Sequence, residues 1–262
     1  MQNDNADPTV LGQTKPAHLE FARLYFRPRT PTLHNTEGIR PPKNRRKGHC
    51  PIPVFFLFDF VGVLQRDGTR FSKGSMASPQ SGHSDRRDYF RRIEFADVYH
   101  DSGLGYGYSP RKSEIIYRRQ AEVLVPEELP LEPDLRAVCC RTPAERATLL
   151  NRLTSRARKK WGSRIRLGVD LMFFREHPHV KSVRGAGDEL EVELYRAHYT
   201  EIPYRICLED EERVAVGSGV IPARAGMQLF RVQSDWETAM LTFELYDCVA
   251  FRAPVEFSDL PF

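Results

Sequence analysis

The sequence predicts an α+β chain: a first part of mixed strands and helices, followed by a smaller module built of strands. Three observations predict it. Residues 53–65, 120–125 and 135–140 are short runs rich in Val, Leu and Phe or Ala, the composition of buried strands. "TPAERATLLNRLTSRARKKW" (142–161) opens with Thr142 at a helix N-cap and Pro143 at the first helical position. Beyond Gly162 the composition changes. "GVDLMFF", "VKSV", "ELEVELYRA", "PYRICLED", "RVAVGSGVI", "QLFRVQ" and "AMLTFELYDCVAF" follow one another with turns between. Such short strands, spaced by roughly 8–12 residues, suit a small β-sandwich or barrel-like module. The expected division is 1–161 and 162–262.

The elements follow in order. Residues 1–19 are polar, hold Pro8 and Pro16, and show no periodicity. "LEFARLYF" (19–26) turns apolar and "RPRTP" breaks it. Residues 32–52 read as loop. "PVFFLFDFVGVLQ" (53–65) reads as one buried strand or two. Residues 66–88 are turn-rich, with Asp67-Gly68 as a turn signal. Apolar residues at 89, 90, 93, 95 and 98 fit a short helix over 89–100. "DSGLGYGYSPRKS" (101–113) is a flexible loop, and 120–125 and 135–140 are strands. "FELYDCVAF" (243–251) reads as a buried closing strand of the second module.

Charge narrows the partners. The chain of 262 residues carries a net charge of only +4, unevenly spread. "RPPKNRRKGHC" (40–50) and "RLTSRARKKWGSRIR" (152–166) are basic and contain no acid. Such blocks suit a polyanion, or simply a solvated loop and a solvated helix face. No apolar run approaches the roughly 18 residues of a membrane helix, and the polar N-terminus has no signal-peptide core. A cytoplasmic protein with no membrane association is expected. The five scattered cysteines show neither zinc spacing nor a disulfide framework. His177 and His179 flank Pro178, with Glu176 just before them and no evident third ligand, so no metal is expected.

Two places invite chemistry. In a strand, Gln120 and Glu122 point to one face, beside a flexible loop carrying Tyr106, Tyr108, Arg111 and Lys112. A carboxylate held on a rigid strand there can act as acid or base, or can stabilise a developing cation. A strand-edge glutamate facing water is the alternative. In "LYFRPRTPTLH" (24–34), Arg27 and Arg29 share a face if the chain is extended. Their fixed forks of donors suit phosphate or carboxylate, or a structural ion pair.

"LYFRPRTPTL", "RFSKGSM" followed by "FRRIEFADVY", and Glu122 within "RRQAEVLVP" occur in the order and approximate spacing of the DarT family, which the chain resembles over roughly residues 19–141. The resemblance implies an ADP-ribosyltransferase-like domain that uses NAD as co-substrate to modify a base of single-stranded DNA. It implies a toxin of the DarT–DarG kind, with a cognate antitoxin as partner. Carried over by residue, Glu122 is the catalytic glutamate and Gln120 its partner in a Gln-x-Glu pair. Arg29 binds NAD and assists the chemistry, with Arg27 and Tyr25 beside it. The loop 101–119 faces the nucleic acid through Tyr106, Tyr108, Arg111, Lys112, Arg118 and Arg119. Family members carry a His-containing strand ahead of the arginine segment; no clear counterpart is readable here, and neither His18 nor His34 stands in for it. Lys73 stands where an acidic residue is common. The departures leave a second function open, a nucleic-acid-binding module without NAD turnover, and modification of RNA or protein is a third.

Overall fold

The computed structural model describes residue 12 and residues 19–46, 48–105, 107–195, 201–222, 226–232 and 236–257. Residues 1–11, 13–18 and Tyr106 lie outside the described set, so the expectations placed on them are not addressed. The chain forms two compact units, 1–35 with 46–48 and 56–136, and 36–45 with 49–55 and 137–262. We retain the division at 161/162 as a proposal for functional modules.

The first unit is built on a four-stranded antiparallel sheet. Strands β1 (Phe21–Tyr25), β3 (Arg70–Ser72), β4 (His83–Ser84) and β5 (Glu122–Pro126) lie in the order β1-β5-β3-β4. Val123 and Val125 of β5 join Val63, Phe71, Ile93, Val98 and Ala121 in its core. Short helices surround the sheet: α1 (Pro31–Thr36), α2 (Phe60–Leu64), α3 (Arg87–Arg91), α4 (Phe95–Val98) and α5 (Pro110–Arg118).

Several expectations need correction here. The run 53–65 is not strand throughout: β2 (Val54–Phe58) ends where Asp59 caps α2, its Oδ1 accepting the Gly62 N–H at 2.7 Å. Residues 32–52 are not all loop, since α1 and a short 3-10 turn at Pro42–Asn44 occupy part of them. The helix expected over 89–100 is two short ones. The loop expected over 101–119 becomes α5 from Pro110, with Ser109 Oγ accepting the Lys112 N–H at 3.2 Å. The strand expected from Gln120 begins at Glu122. Gln120 sits instead in the turn that ends α5, its N–H donating to Tyr117 O at 3.1 Å.

In the second unit, β6 (Leu135–Cys140) pairs in parallel with β7 (Ile165–Leu167), in a sheet of order β2-β6-β7. The long helix expected over 142–161 is two, α6 (Pro143–Arg152) and α7 (Ser155–Trp161). Leu153 leaves the helical region at φ −79° and ψ 139°, and Thr154 Oγ1 caps the second helix at the Ala157 N–H, 3.2 Å away. "GVDLMFF" is a 3-10 turn rather than a strand.

Beyond it the expected strands appear: β8 (His179–Ala186), β9 (Glu189–Tyr195), β10 (Glu201–Glu209), β11 (Val214–Pro222), β12 (Met227–Arg231), β13 (Thr238–Leu245) and β14 (Cys248–Glu256). They form two antiparallel sheets, β11-β10-β13-β14 and β12-β9-β8. Val180, Leu190 and Val192 of one sheet and Leu208, Leu241 and Phe243 of the other lie in one apolar core, which makes a sandwich. Residues 243–251 are not one strand: Tyr246 and Asp247, at φ 48° and 62°, form the tight turn joining β13 to β14.

Candidate active site

Glu122 is the first residue of β5 and is 1% exposed. The register of β1 and β5 sets Tyr25 opposite Glu122 and Arg23 opposite Leu124. Opposed residues share a face, and side chains two apart on one strand share it too. Arg23, Tyr25 and Glu122 therefore meet on one side of the sheet. Arg23 donates from Nε to Glu122 Oε2 at 2.5 Å and from Nη2 to Oε1 at 2.7 Å. This two-pronged pairing fixes the plane of the carboxylate.

The segment "RFSKGSM" holds the other side of Glu122. The Met76 N–H donates to Oε1 at 3.2 Å, and the Glu122 N–H donates to Ser72 Oγ at 2.9 Å. Ser72 in turn donates to Gly74 O at 2.7 Å. A Cβ at Gly74 would lie 2.3 Å from the Tyr117 ring, so the segment closes around Glu122 only with glycine there. Lys73 turns to Tyr89, its Nζ 4.8 Å from the ring centroid. The Tyr25 ring is partly open, yet burial of its phenol end pushes the group up, and the Glu122 carboxylate pushes it further; Thr32 and Arg23 pull the other way.

A cluster of arginines lies in the same unit. Arg27 and Arg29 sit in a bend and not in extended chain, and Asp101 brings them together. Arg27, 7% exposed, donates to Val98 O at 2.9 Å, to His100 O at 2.8 Å and to Asp101. Arg29 Nη2 stands 3.8 Å from Asp101 Oδ1. Arg119 donates to Ser102 O and faces His100 Nδ1, both at 2.8 Å. Burial, then Arg27, lower the Arg119 guanidinium; Asp101 offsets this and Arg29 adds to it. Nε of Arg27 and Nε of Arg119 are buried and make no hydrogen bond among the described residues. Three guanidiniums around one carboxylate leave a positive excess, which fits a diphosphate such as that of NAD.

The remaining expected residues divide. Gln120 does not share a strand face with Glu122; its amide donates to Ile116 O at 3.3 Å and its Oε1 lies 3.4 Å from Thr32 Oγ1. Arg111 and Arg118 stand on helix α5, not on a mobile loop, and both pair with Asp97. Arg111 reaches Oδ1 at 2.5 Å and Oδ2 at 2.8 Å, while Arg118 reaches Oδ2 at 2.8 Å and Glu114 at 2.5 Å. The Arg111 hydrogen bond is the main cause holding the Asp97 carboxyl below its usual range; burial opposes it. Lys112 Nζ donates to Gly107 O at 3.3 Å. Tyr108 is 85% exposed and open to a stacking partner. Sequence reasoning missed Arg23, Asp101, Ser72 and Met76. Arg23 had a signal: it alternates with Tyr25 on one face of an apolar strand, a costly place for an unpaired cation. Among the described residues no group of three His, Cys, Asp or Glu side chains is arranged to hold a metal.

The model of a protein family described as "ssDNA thymidine ADP-ribosyltransferase, DarT" matches residues 3–173. The chain belongs to the DarT family. Membership makes it an ADP-ribosyltransferase of single-stranded DNA, as the resemblance implied, and adds thymidine as the family's target. The DarT match takes in the arginine segment, "RFSKGSM" and Glu122, and begins ahead of all three. Among solved structures, Thermus sp. 2.9 DarT in complex with ADP-ribosylated ssDNA is similar at 12% identity and a TM-score of 0.49, over 66% of this chain and 82% of that one. The same protein in complex with NAD+ is similar at 12% identity and a TM-score of 0.45, over 61% and 77%. No curated protein matches the chain.

Proposed function

We propose that the chain attaches ADP-ribose from NAD to thymidine in single-stranded DNA, with Glu122 as the catalytic carboxylate. One observation carries this reading: Glu122 is a buried carboxylate fixed in one orientation by Arg23 and the Met76 N–H, inside the DarT match. NAD supplies the ADP-ribose and a nicotinamide leaving group. Loss of nicotinamide develops positive charge at the ribose, and a preorganised carboxylate stabilises such charge. Glu122 meets this need because its position is set before substrate arrives. Arg29, Arg27 and Arg119 offer donors to the pyrophosphate and hold the donor in place. Tyr25 stands beside Glu122 from β1, and Gln120, at the end of α5, lies next to Thr32.

On the DNA side, Tyr108 stacks on an unpaired base, a contact of about 1–3 kcal/mol, and Lys112 meets the backbone. Arg111 and Arg118 act indirectly, by anchoring α5 through Asp97. A single-stranded target spares the enzyme the unstacking that a duplex would demand. No helix among the described residues is long and apolar enough to cross a membrane. We infer a cytoplasmic enzyme of the toxin type, held in check by a cognate antitoxin.

Release of nicotinamide tests the reading. Thymidine-containing oligonucleotides should stimulate release by the wild-type protein, and Glu122→Ala should abolish the stimulation. Equal release from oligonucleotides without thymidine would reject the proposed target.

A further inference from the structure

The reaction leaves one conspicuous surface unused. Residues 152–166 hold Arg152, Arg156, Arg158, Lys159, Lys160, Arg164 and Arg166 and no acid, so this segment alone exceeds the net +4 of the whole chain. Several exposed arginines elsewhere are matched: Arg136 with Asp59, Arg184 with Glu191, Arg213 with Asp210 and Arg252 with Glu209. By contrast, among the described residues Arg156, Arg158, Lys159 and Arg166 enter no ion pair, and all four are exposed. Arg156, Lys159 and Lys160 recur at the three- and four-residue spacing that places side chains on one face of α7. At the end of the helix Trp161 is half-buried, with Lys160 Nζ 4.7 Å and the Arg164 guanidinium 5.1 Å from its ring. Like charges gathered without acids repel one another, and a polyanion relieves that repulsion while releasing its own counterions. A basic track beside an aromatic ring is the recurring surface for single-stranded nucleic acid.

We propose that α7 and the turn after it form a second contact for single-stranded DNA, made through the phosphate backbone. This rests on the DNA substrate of the proposed function, and it concerns a surface that takes no part in the chemistry.

The test measures binding of a single-stranded oligonucleotide across a salt series, without NAD, for the wild type and for R156E/K159E/R166E. The neutral R156Q/K159Q/R166Q variant separates lost attraction from added repulsion, and unchanged thermal melting confirms that each variant folds. Each lost contact should reduce the log–log salt slope by about 0.7, so the neutral variant should lose about 2. The KM for NAD should not move. An unchanged slope would overturn the proposal. A loss for RNA of the same length but not for DNA would also overturn it. Because binding is read without NAD, failure of the transferase reading leaves this result interpretable.

Discussion

Arg23 and Glu122 show how one contact joins stability to chemistry. Glu122 is buried, and Arg23 keeps about a quarter of its side chain open, at 26%. Arg23→Ala would strand a buried carboxylate with only the Met76 N–H to satisfy it. Breaking a buried pair costs about 3–5 kcal/mol, and the open side of Arg23 places this case near about 3 kcal/mol. Urea unfolding should show that loss. Glu122→Gln keeps the shape and the Met76 hydrogen bond but removes the charge. It should leave the protein folded and lower transfer by about 10²–10³-fold, the range for removing one preorganised electrostatic group. The part of this site legible in the sequence was Glu122, Arg27 and Arg29, because short motifs mark them. Arg23 was not, because its partner lies 99 residues away and only the β1–β5 register brings them together.

At the scale of elements, α5 decides how the substrate side is built. Its start was written in the sequence as Ser109 followed by Pro110, the same cap-and-proline signature that marked Thr142 and Pro143. Among glycines and tyrosines that signature read as loop. Ser109→Ala should destabilise the protein by about 1 kcal/mol, the usual cost of a lost N-cap. Asp97 ties the helix down, since Arg111 and Arg118 both converge on it. Its carboxyl is held below the ordinary value, so its stabilisation is present above pH about 4 and is lost as pH falls through the lowered value. Asp97→Asn should therefore flatten the acid limb of a stability-versus-pH curve. If the limb keeps its wild-type slope, the pairing does not hold in solution. Asp59 teaches the same lesson as Ser109: an apolar run through residue 64 reads as strand until the cap it hides is recognised.

At the scale of the molecule, each unit carries its own logic. The second unit is pinned by Arg141, fully buried between Glu37 and Glu145, with Arg141 Nη1 3.1 Å from Glu37 Oε1. Glu37 also accepts the N–H groups of Phe174 and Arg175, each at 3.0 Å. Burial pushes the Glu145 carboxyl up, and Arg141 opposes it. Beside it, burial raises the Cys140 thiol to about 12. Cys140 should resist alkylation at pH 8 in the folded protein and react after unfolding. A raised value also means stability that is full below the ordinary thiol value and lost as pH climbs from about 9 toward 12. The succession of strands in this unit was readable from short apolar runs at regular spacing; the Arg141 cluster was not, because its members come from three distant stretches of chain.

Mass spectrometry of single-stranded oligonucleotides incubated with the protein and NAD tests the central claim most directly. The wild type should add one ADP-ribose to strands that contain thymidine and none to strands that lack it. Glu122→Gln, shown to be folded, should add ADP-ribose to the thymidine strand about 10²–10³-fold more slowly and none to the other. An ADP-ribose gain by Glu122→Gln equal to that of the wild type would contradict the assignment of Glu122 as the catalytic carboxylate.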